Sequence, residues 1–354
     1  MDPFSQGAVG AIASTSISGT RKLRAFALLG CIAGLAPDLD ILIGSSTDPL
    51  LFLEYHRQFT HALVFIPVGA AVVGLVMHWG VRHVLRPAES YLACVVGYAT
   101  HGVLDACTSY GTQLLWPFSD YRVAWNNVSV VDPLFTVPLV ALLVAAVVKR
   151  RRSLALVGVA WAAGYLVLGV IQTARVESVG TALAAQRGHE PGRLTVKAGF
   201  GNLLIWKVIY EHDGRYYVDA VRAAVPARPC LGESVAVLDL ERDLPWIDAD
   251  SRQARDIERF RWFSGDYLAL DPAHRNRVID MRYSVVPNQI EALWGVEVDR
   301  GSAPDEHVRF VAQRATRADQ RDAYWRLLTG ADCAATIPST VRPGRLGEQK
   351  ERFG

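Results

Sequence analysis

Long apolar stretches dominate the first half of the chain. Five of them stand out between short polar segments, at residues 25–44, 62–79, 91–107, 134–148 and 154–172. A straight transmembrane helix needs roughly 20 apolar residues, so the shorter stretches require tilt or a thin bilayer. The pattern predicts a helical domain that crosses the membrane several times. Segment 5–18 is apolar and rich in small residues, and either a re-entrant helix or a further span fits it.

Basic residues between these stretches predict the topology. Residues 149–152 form a tight basic loop, which the positive-inside rule places in the cytoplasm. If each of the five stretches crosses once, the clusters at 21–24 and at 82–86 fall on the same side. Residues after about 175 are then extracytoplasmic. The amino terminus lacks the basic region of a cleavable signal peptide, so insertion relies on the internal spans.

A different pattern begins after residue 175. Strand-like alternation surrounds Asp213-Gly214, a dipeptide typical of hairpin turns. Segment 267–286 also reads as strand, and segments 250–263 and 317–328 have the periodicity of amphipathic helices. The predicted fold is therefore multi-domain: an α-helical polytopic membrane domain (1–174), a smaller soluble α+β domain rich in β-strands (175–340) and a polar tail (341–354). Trp206, Tyr216 and Tyr217 are expected in the core of the β-rich domain.

Charge supports this division. Residues 1–174 hold 11 Lys and Arg and 9 Asp and Glu, whereas residues 175–354 hold 26 of each sign. Neither half has the basic stripe that nucleic-acid binding requires, so that function is excluded. The five cysteines contain no CxxC metal-binding pair. Cys230 and Cys333 could pair in an oxidising compartment, but the sequence does not show whether they are close.

Ionisable residues are few in the apolar half, and six of them fall at the predicted outer membrane face: Asp38, Asp40, His56, His61, His101 and Asp105. Such residues at membrane depth indicate a functional site. His101 and Asp105 are four apart and so share one helix face. Asp38 and Asp40 require Pro37 to interrupt the helix before both can face one centre. Imidazole and carboxylate ligands predict a divalent metal, Zn²⁺ before Mn²⁺ or Fe²⁺.

Each part of this cluster also has a simpler explanation. A lone HxxxD pair is often structural, paired aspartates often cap a helix, and histidines beside Arg57 could lie at the membrane interface. His78 and His83, at the cytoplasmic end, are best explained in that interfacial way. Several independent coincidences on one membrane face are less probable than any single one, which favours the metal site.

Several longer motifs resemble a known family. "IAGLAPDLDIL", "YHRQFTHAL" and "THGVLDACTSYGTQLLWPFSDYRVAW" occur in the order seen in the YdjM-like family of membrane proteins, which are regarded as metal-dependent hydrolases. The resemblance covers most of the first 140 residues and implies that the same six residues bind metal, but it names no substrate. Many relatives have Thr-His where this chain has Ser5-Gln6. Because Gln is a weak ligand for such metals, a hydrogen-bonding role is expected for Gln6.

A looser similarity extends only to a few residues. Zinc-dependent phospholipase C and single-strand nuclease families also use Asp and His ligands, including a helical HxxxD. This similarity makes a phosphoester the preferred substrate bond.

The predicted function is that of a membrane-embedded hydrolase which uses a metal-activated water at the outer interface. Asp38 or Asp40 would serve as general base. Arg57 and Arg122 are candidates for holding an anionic group, and Arg122 could equally anchor the chain at the membrane interface. Asp132 could orient a ligand histidine or cap the helix that follows it.

Membrane lipid is the expected partner, with a lipid or another phosphoester as substrate. Aromatic residues fit a belt at the level of the lipid headgroups: Trp116, Phe118, Tyr121 and Trp125. The competing hypothesis is a non-enzymatic scaffold or transport component, in which the polar cluster supports helix packing or cation passage. Transporters often contain internal repeats, and none is evident here. An inner, cytoplasmic-membrane location of a bacterium is predicted.

Overall fold

The fold, seen in a computed structural model, combines a helical bundle with a β-rich domain. The structure describes residues 1–313 and 315–333, so the predicted polar tail at 341–354 lies outside the described residues. Seven helices form the first part: α1 (Pro3–Ile17), α2 (Leu23–Leu35), the short α3 (Leu51–Tyr55), α4 (Ile66–Val81), α5 (Pro87–Ala106), α6 (Pro133–Lys149) and α7 (Arg152–Gln186). The predicted helical bundle is confirmed.

The helix boundaries differ from the apolar stretches where backbone chemistry intervenes. Helix α2 ends at Leu35, and residues Ala36–Leu42 form a 3-10 turn with Pro37 in its first turn. This is the interruption at Pro37 that was predicted to be necessary for Asp38 and Asp40 to face one centre. Two further 3-10 turns, Phe59–His61 and Leu63–Phe65, precede α4. Helix α7 continues to Gln186 and so crosses the domain boundary predicted at residue 174.

Helix α1 lies in the middle of the bundle, against α2, α5, α6 and α7. The amino group of Met1 contacts Asp105 at one end of the bundle, and the carbonyl of Ser16 accepts a hydrogen bond from Arg152 at the other. Segment 5–18 therefore runs the length of the bundle. Close approach depends on glycine: a Cβ on Gly30 of α2 would lie 2.5 Å from the carbonyl oxygen of Gly10 in α1.

Within the described residues, three helical segments are long and apolar enough to cross a membrane: Leu23–Leu42, Leu63–Val81 and Arg152–Gln186. Helix α6 is apolar but shorter. Large apolar side chains such as Leu75, Trp79 and Val148 are exposed on the bundle surface. Such a surface suits lipid rather than water. The basic segments gather at one end, where Lys22 pairs with Glu89 (2.5 Å).

The β-rich region contains two antiparallel four-stranded sheets. The first runs in the order β1 (Arg193–Ala198), β2 (Ile205–His212), β3 (Arg215–Arg222) and β4 (Arg228–Ala236), and the second in the order β5 (Leu268–Asp271), β6 (His274–Asp280), β7 (Trp294–Glu297) and β8 (Arg309–Ala312). The predicted hairpin joins β2 and β3, and Asp213 (φ 47°) and Gly214 (φ 66°) are both left-handed. Two-residue turns with positive φ at both positions match the twist of the strands they join.

The two predicted amphipathic helices are α9 (Arg252–Ser264) and α10 (Ala318–Thr329), and a short helix that was not predicted, α8 (Leu240–Asp243), precedes them. A disulfide joins Cys230 of β4 to Cys333 just after α10, which answers the question that the sequence left open. Trp206 and Tyr216 are fully buried, and Tyr217 is half-buried and stacks on Tyr210.

The β-rich region packs directly on the helical bundle. Val176 of α7 shares a buried cluster with Val196 and Trp206 of the first sheet. Leu53 of α3 shares another with Phe260 of α9. Arg259 of α9 forms ion pairs with Asp48 (2.8 Å) and Glu54 (2.5 Å) of the helical half. The end of the bundle that carries α3 is therefore covered by the second sheet and α9.

Candidate metal centre

Two histidines face each other at the covered end of the bundle. The Nε2 atoms of His61, in the 3-10 turn before α4, and His101, in α5, are 2.9 Å apart. The Nδ1 atom of His101 lies 2.6 Å from the carbonyl oxygen of Gly34. Because a carbonyl only accepts, Nδ1 carries the proton and Nε2 of a neutral ring presents its lone pair. Such a backbone partner fixes the tautomer of metal-binding histidines.

Two carboxylates complete the cluster around these nitrogens. Asp38 Oδ1 lies 3.5 Å from His61 Nε2 and 3.4 Å from His101 Nε2. Asp105 Oδ2 lies 3.2 Å and 3.7 Å from the same two atoms. The four ligand atoms all lie within 4.8 Å of one another. His61, His101 and Asp105 are fully buried, and the side chain of Asp38 is 28% exposed, so Asp38 forms the open side.

The donor set fits a divalent metal. Asp105 is held through both oxygens: Oδ1 accepts from Gln6 Nε2 (2.8 Å), and Oδ2 lies 3.0 Å from Arg57 Nε. The two imidazole nitrogens and the oxygens of Asp38 and Asp105 converge on one largely buried point, where a divalent cation would bind all four. Nitrogen and oxygen ligands without thiolate are those of Zn²⁺, Mn²⁺ and Fe²⁺ sites.

Asp40 lies beside this group and holds its parts in place. One oxygen accepts from Nδ1 of His56 (2.7 Å), and the other accepts from the backbone N–H of Arg57 (2.9 Å) and the hydroxyl of Thr60 (2.9 Å). The second oxygen is also 3.3 Å from Nδ1 of His61. Asp40, His56 and Asp38 form a second group with ligand spacing. The six residues predicted as one site therefore form two adjoining groups that share Asp38.

Two other predicted residues bind Asp105. Gln6 donates to it as described above, in keeping with the hydrogen-bonding role expected for this side chain, and the Oε1 atom of Gln6 is buried without a partner. Arg57 Nε lies 3.0 Å from Asp105 Oδ2, and another guanidinium nitrogen of Arg57 donates to Thr108. Arg57 has a φ of 66°, a strained backbone conformation of the kind that often occurs at functional sites.

Arg122 lies between the two halves of the protein rather than at the lipid surface. It donates to the carbonyl oxygens of Gly111 (3.0 Å) and Leu53 (3.4 Å) and stacks over Phe263 of α9. Burial lowers the pKa of Arg122 to about 10, and the neighbouring charge of Arg57 contributes to this shift.

Asp132 corrects one expectation. It caps α6 by accepting from the backbone of Leu134 (3.1 Å) and Phe135 (3.3 Å), and it also accepts from the hydroxyl of Tyr165 (2.7 Å). No histidine hydrogen-bonds to Asp132 among the described residues. The structure supports the capping alternative, because the carboxylate of Asp132 accepts from backbone N–H groups in the first turn of α6.

Sequence reasoning missed three contributors to the site. Thr60 directly precedes His61 in the sequence, and its hydroxyl donates to Asp40 (2.9 Å). Tyr110 lies in the loop that follows α5, and its ring centre is 5.5 Å from that of His56. Gly34 acts through its carbonyl oxygen, for which a sequence has no signal.

Fold and site together define a helical membrane protein with a buried His/Asp cluster at one end of its bundle and a β-rich domain over it. Residues 1–176 match the model of the YdjM inner membrane protein family, and the chain belongs to that family. Searches of curated proteins and of solved structures gave no match.

Proposed function

We propose that the protein is a membrane-embedded, metal-dependent hydrolase that acts on a lipid-like phosphoester at the outer membrane interface. The observation that carries this proposal is the convergence of two histidine Nε2 atoms with two carboxylates, whose four ligand atoms all lie within 4.8 Å of one another in a largely buried site.

The residues of the cluster would have different roles in the proposed reaction. Asp38, His61, His101 and Asp105 would hold the metal, which polarises the scissile group and makes water a nucleophile near neutral pH. Asp38 is the partly exposed member of the group, so substrate would approach from its side. Asp40 orients His61 and His56, and Arg57 holds Asp105.

An apolar chamber beside the site supports a lipid-like substrate. It has a volume of about 840 Å³, and aromatic side chains form much of its wall: Phe52, Tyr110, Phe263, Trp294, Phe310 and Tyr324. Phe200 and Trp325 also line it and are 65% and 64% exposed. The backbone N–H of Gly201, next to Phe200, donates a hydrogen bond to the carbonyl oxygen of Val131, just before α6. The chamber therefore opens near the lipid surface and ends at Tyr110, which also contacts His56.

Two independent features support an extracytoplasmic β-rich domain. A disulfide persists in oxidising compartments, and Cys230 and Cys333 form one. The basic segments lie at the opposite end of the bundle, as the positive-inside rule requires. Protease added to spheroplasts should cleave this domain, whereas protease added to inverted vesicles should not. Cleavage in inverted vesicles alone would contradict the orientation.

Metal content tests the proposed centre. Elemental mass spectrometry on detergent-purified protein should find stoichiometric metal in the wild type and little in His101→Ala or Asp105→Ala. His78→Ala is the matched control, because His78 contacts Ser90 on the cytoplasmic part of the bundle. Low and equal metal in all four proteins would overturn the metal centre.

Turnover then separates the hydrolase from a scaffold or transport protein. Metal-loaded wild type should hydrolyse nitrophenyl phosphate monoesters or diesters in mixed micelles, and His101→Ala should not. Stoichiometric metal without hydrolysis of any phosphoester, carboxylic ester or amide offered would favour the non-enzymatic alternative.

A further inference from the structure

A group of buried and half-buried cations lies above the metal centre, and both halves of the protein contribute to it. We propose that Arg57 and Arg122 of the helical half, with Lys197, Arg282 and Tyr283 of the β-rich domain, bind a phosphate group. Only the assignment of this phosphate to a substrate rests on the proposed function, since the binding site stands without it.

Two tyrosine rings organise the cations. The guanidinium carbons of Arg57 and Arg122 lie 4.6 Å and 5.6 Å from the ring centre of Tyr110. The Nζ atom of Lys197 lies 3.4 Å from the ring centre of Tyr283, and Arg282 lies 5.4 Å from it.

Trp294 connects these two rings. Its ring centre is 4.2 Å from that of Tyr283 and 6.4 Å from that of Tyr110. The four cations therefore surround one small aromatic group.

The charges of this group do not balance. Arg57 is paired with Asp105, and Arg282 is paired with Asp280 (2.7 Å). Arg122 and Lys197 form no ion pair with any residue that the structure describes. An unpaired cation in a protein interior is costly. Arg122 therefore carries an uncompensated positive charge, and a phosphate bound beside Lys197 would favour the charged form of this lysine as well.

Unused hydrogen-bond donors point to the same ligand. The Nε atom of Arg122 and the hydroxyl of Tyr283 are buried and have no partner. Lys197 Nζ makes no hydrogen bond within the described structure, and burial lowers the pKa of Lys197 well below its usual range. Phosphate oxygens accept several such charge-assisted hydrogen bonds at once.

The group lies between the apolar chamber and the metal centre. Tyr110 and Trp294 line the chamber, and Tyr110 also packs against His56. A phosphate held here would place an attached alkyl chain in the chamber. The ligand chemistry is a phosphate, and its source is either a lipid headgroup or the free ion.

Binding to metal-depleted protein tests this site separately from catalysis. Isothermal titration of the full chain, purified in detergent and treated with chelator, should show saturable binding of inorganic phosphate and of hexyl phosphate. Lys197→Met should weaken both by about tenfold or more, and Tyr283→Phe by about threefold to tenfold, because each loses a buried hydrogen bond.

Lys207→Met is the matched control. Lys207 lies opposite Lys197 on β2, but its Nζ already donates to the hydroxyl of Ser284 (2.8 Å) and the carbonyl of Gln289 (3.0 Å). It should bind phosphate like the wild type. Absence of binding to the wild type, unchanged binding in both test variants, or an equal loss in the control would overturn the site.

A chamber variant distinguishes the two sources. Ala312→Phe narrows the apolar chamber, whereas Ala249→Phe makes the same change in the separate cavity beside α9. Weaker hexyl phosphate binding in Ala312→Phe alone, with inorganic phosphate unchanged, supports a lipid headgroup. Equal hexyl phosphate binding in both supports the free ion. Phosphate binding without stoichiometric metal in the untreated protein would uphold this site while the proposed hydrolase fails.

Discussion

Asp40 shows how one carboxylate can position a site without belonging to its central group. It accepts four polar contacts, from His56, Arg57, Thr60 and His61. Carboxylates that orient ligand histidines typically contribute 10- to 100-fold to metal affinity.

Asp40→Asn should therefore weaken metal binding by about 10- to 100-fold while the fold is retained. Competition with a fluorescent chelator measures this change. Asp120→Asn, at an exposed loop position, serves as the control. Equal affinities in the two variants would exclude a positioning role for Asp40.

Lys207 predicts a pH dependence of stability outside the membrane. Burial lowers the pKa of Lys207 to about 7, against opposing contributions from Asp280 and Glu233. Between about pH 7 and the ordinary lysine pKa of about 10.4, the unfolded chain binds more protons than the folded one. The free energy of unfolding should thus rise with pH in this window.

Thermal unfolding at several pH values checks this sign. The rise should be smaller in Lys207→Met than in the wild type, because the lowered pKa of Lys197 still contributes to it. It should be unchanged in Lys149→Met, which alters an exposed lysine at the basic end of the bundle. A wild type whose stability is flat or falls between pH 7 and 10 would contradict the prediction.

The site residues that lie close together in the sequence could be predicted from their spacing. His101 and Asp105 share a helix face because they are four apart, and Pro37 indicated the interruption that lets Asp38 and Asp40 both face the site. The sequence could not distinguish the roles of the two aspartates, because these depend on the rotation of a 3-10 turn. Lys197 and Arg282 were missed because only the packing of the β-rich domain brings them to the site.

Helix packing around α1 depends on the absence of a side chain at Gly30. A Cβ there would lie 2.3 Å from the hydroxyl of Ser14 and 2.5 Å from the carbonyl of Gly10. Gly30→Val should separate α1 from α2, lower the thermal unfolding midpoint and reduce metal content, since His101 binds a carbonyl in α2. Overpacking of this kind costs about 1–3 kcal/mol or more.

Gly164→Val in α7 is the matched substitution, because a Cβ at Gly164 meets no atom within 4 Å. Size-exclusion chromatography and differential scanning fluorimetry in detergent compare the two variants. Equal midpoints would show that the α1–α2 contact is not tightly packed.

Apolar composition predicted most helix boundaries of the bundle to within about four residues, because side chains that face lipid must be apolar. It failed at the end of α2, which stops at Leu35 before Pro37, and at the end of α7. The apolar run ends at Gln172, but Arg175 and Glu177 are compatible with a helix and the element continues to Gln186. A loss of hydrophobicity marks where a helix leaves the membrane, and it does not mark where the helix ends.

The disulfide closes the β-rich domain over a long loop. Cys230 and Cys333 are 103 residues apart, and cross-links of long loops typically stabilise the folded state by about 2–4 kcal/mol. Cys230→Ser should lower the unfolding midpoint of the domain, and treatment with a reductant should do the same to the wild type. Cys31→Ser, which alters a free cysteine, should leave the response to reductant intact.

Helix α7 has 35 residues and is about 50 Å long. The amide of Gln172 donates to Leu203 (3.1 Å) and Ala223 (2.9 Å), so the first sheet is attached where the apolar run stops. Because α7 is one continuous helix from the bundle to the first sheet, it connects the two parts rigidly. Bilayer thickness then sets the height of the chamber mouth relative to the acyl chains, and a thicker membrane would bring Phe200 and Trp325 closer to them.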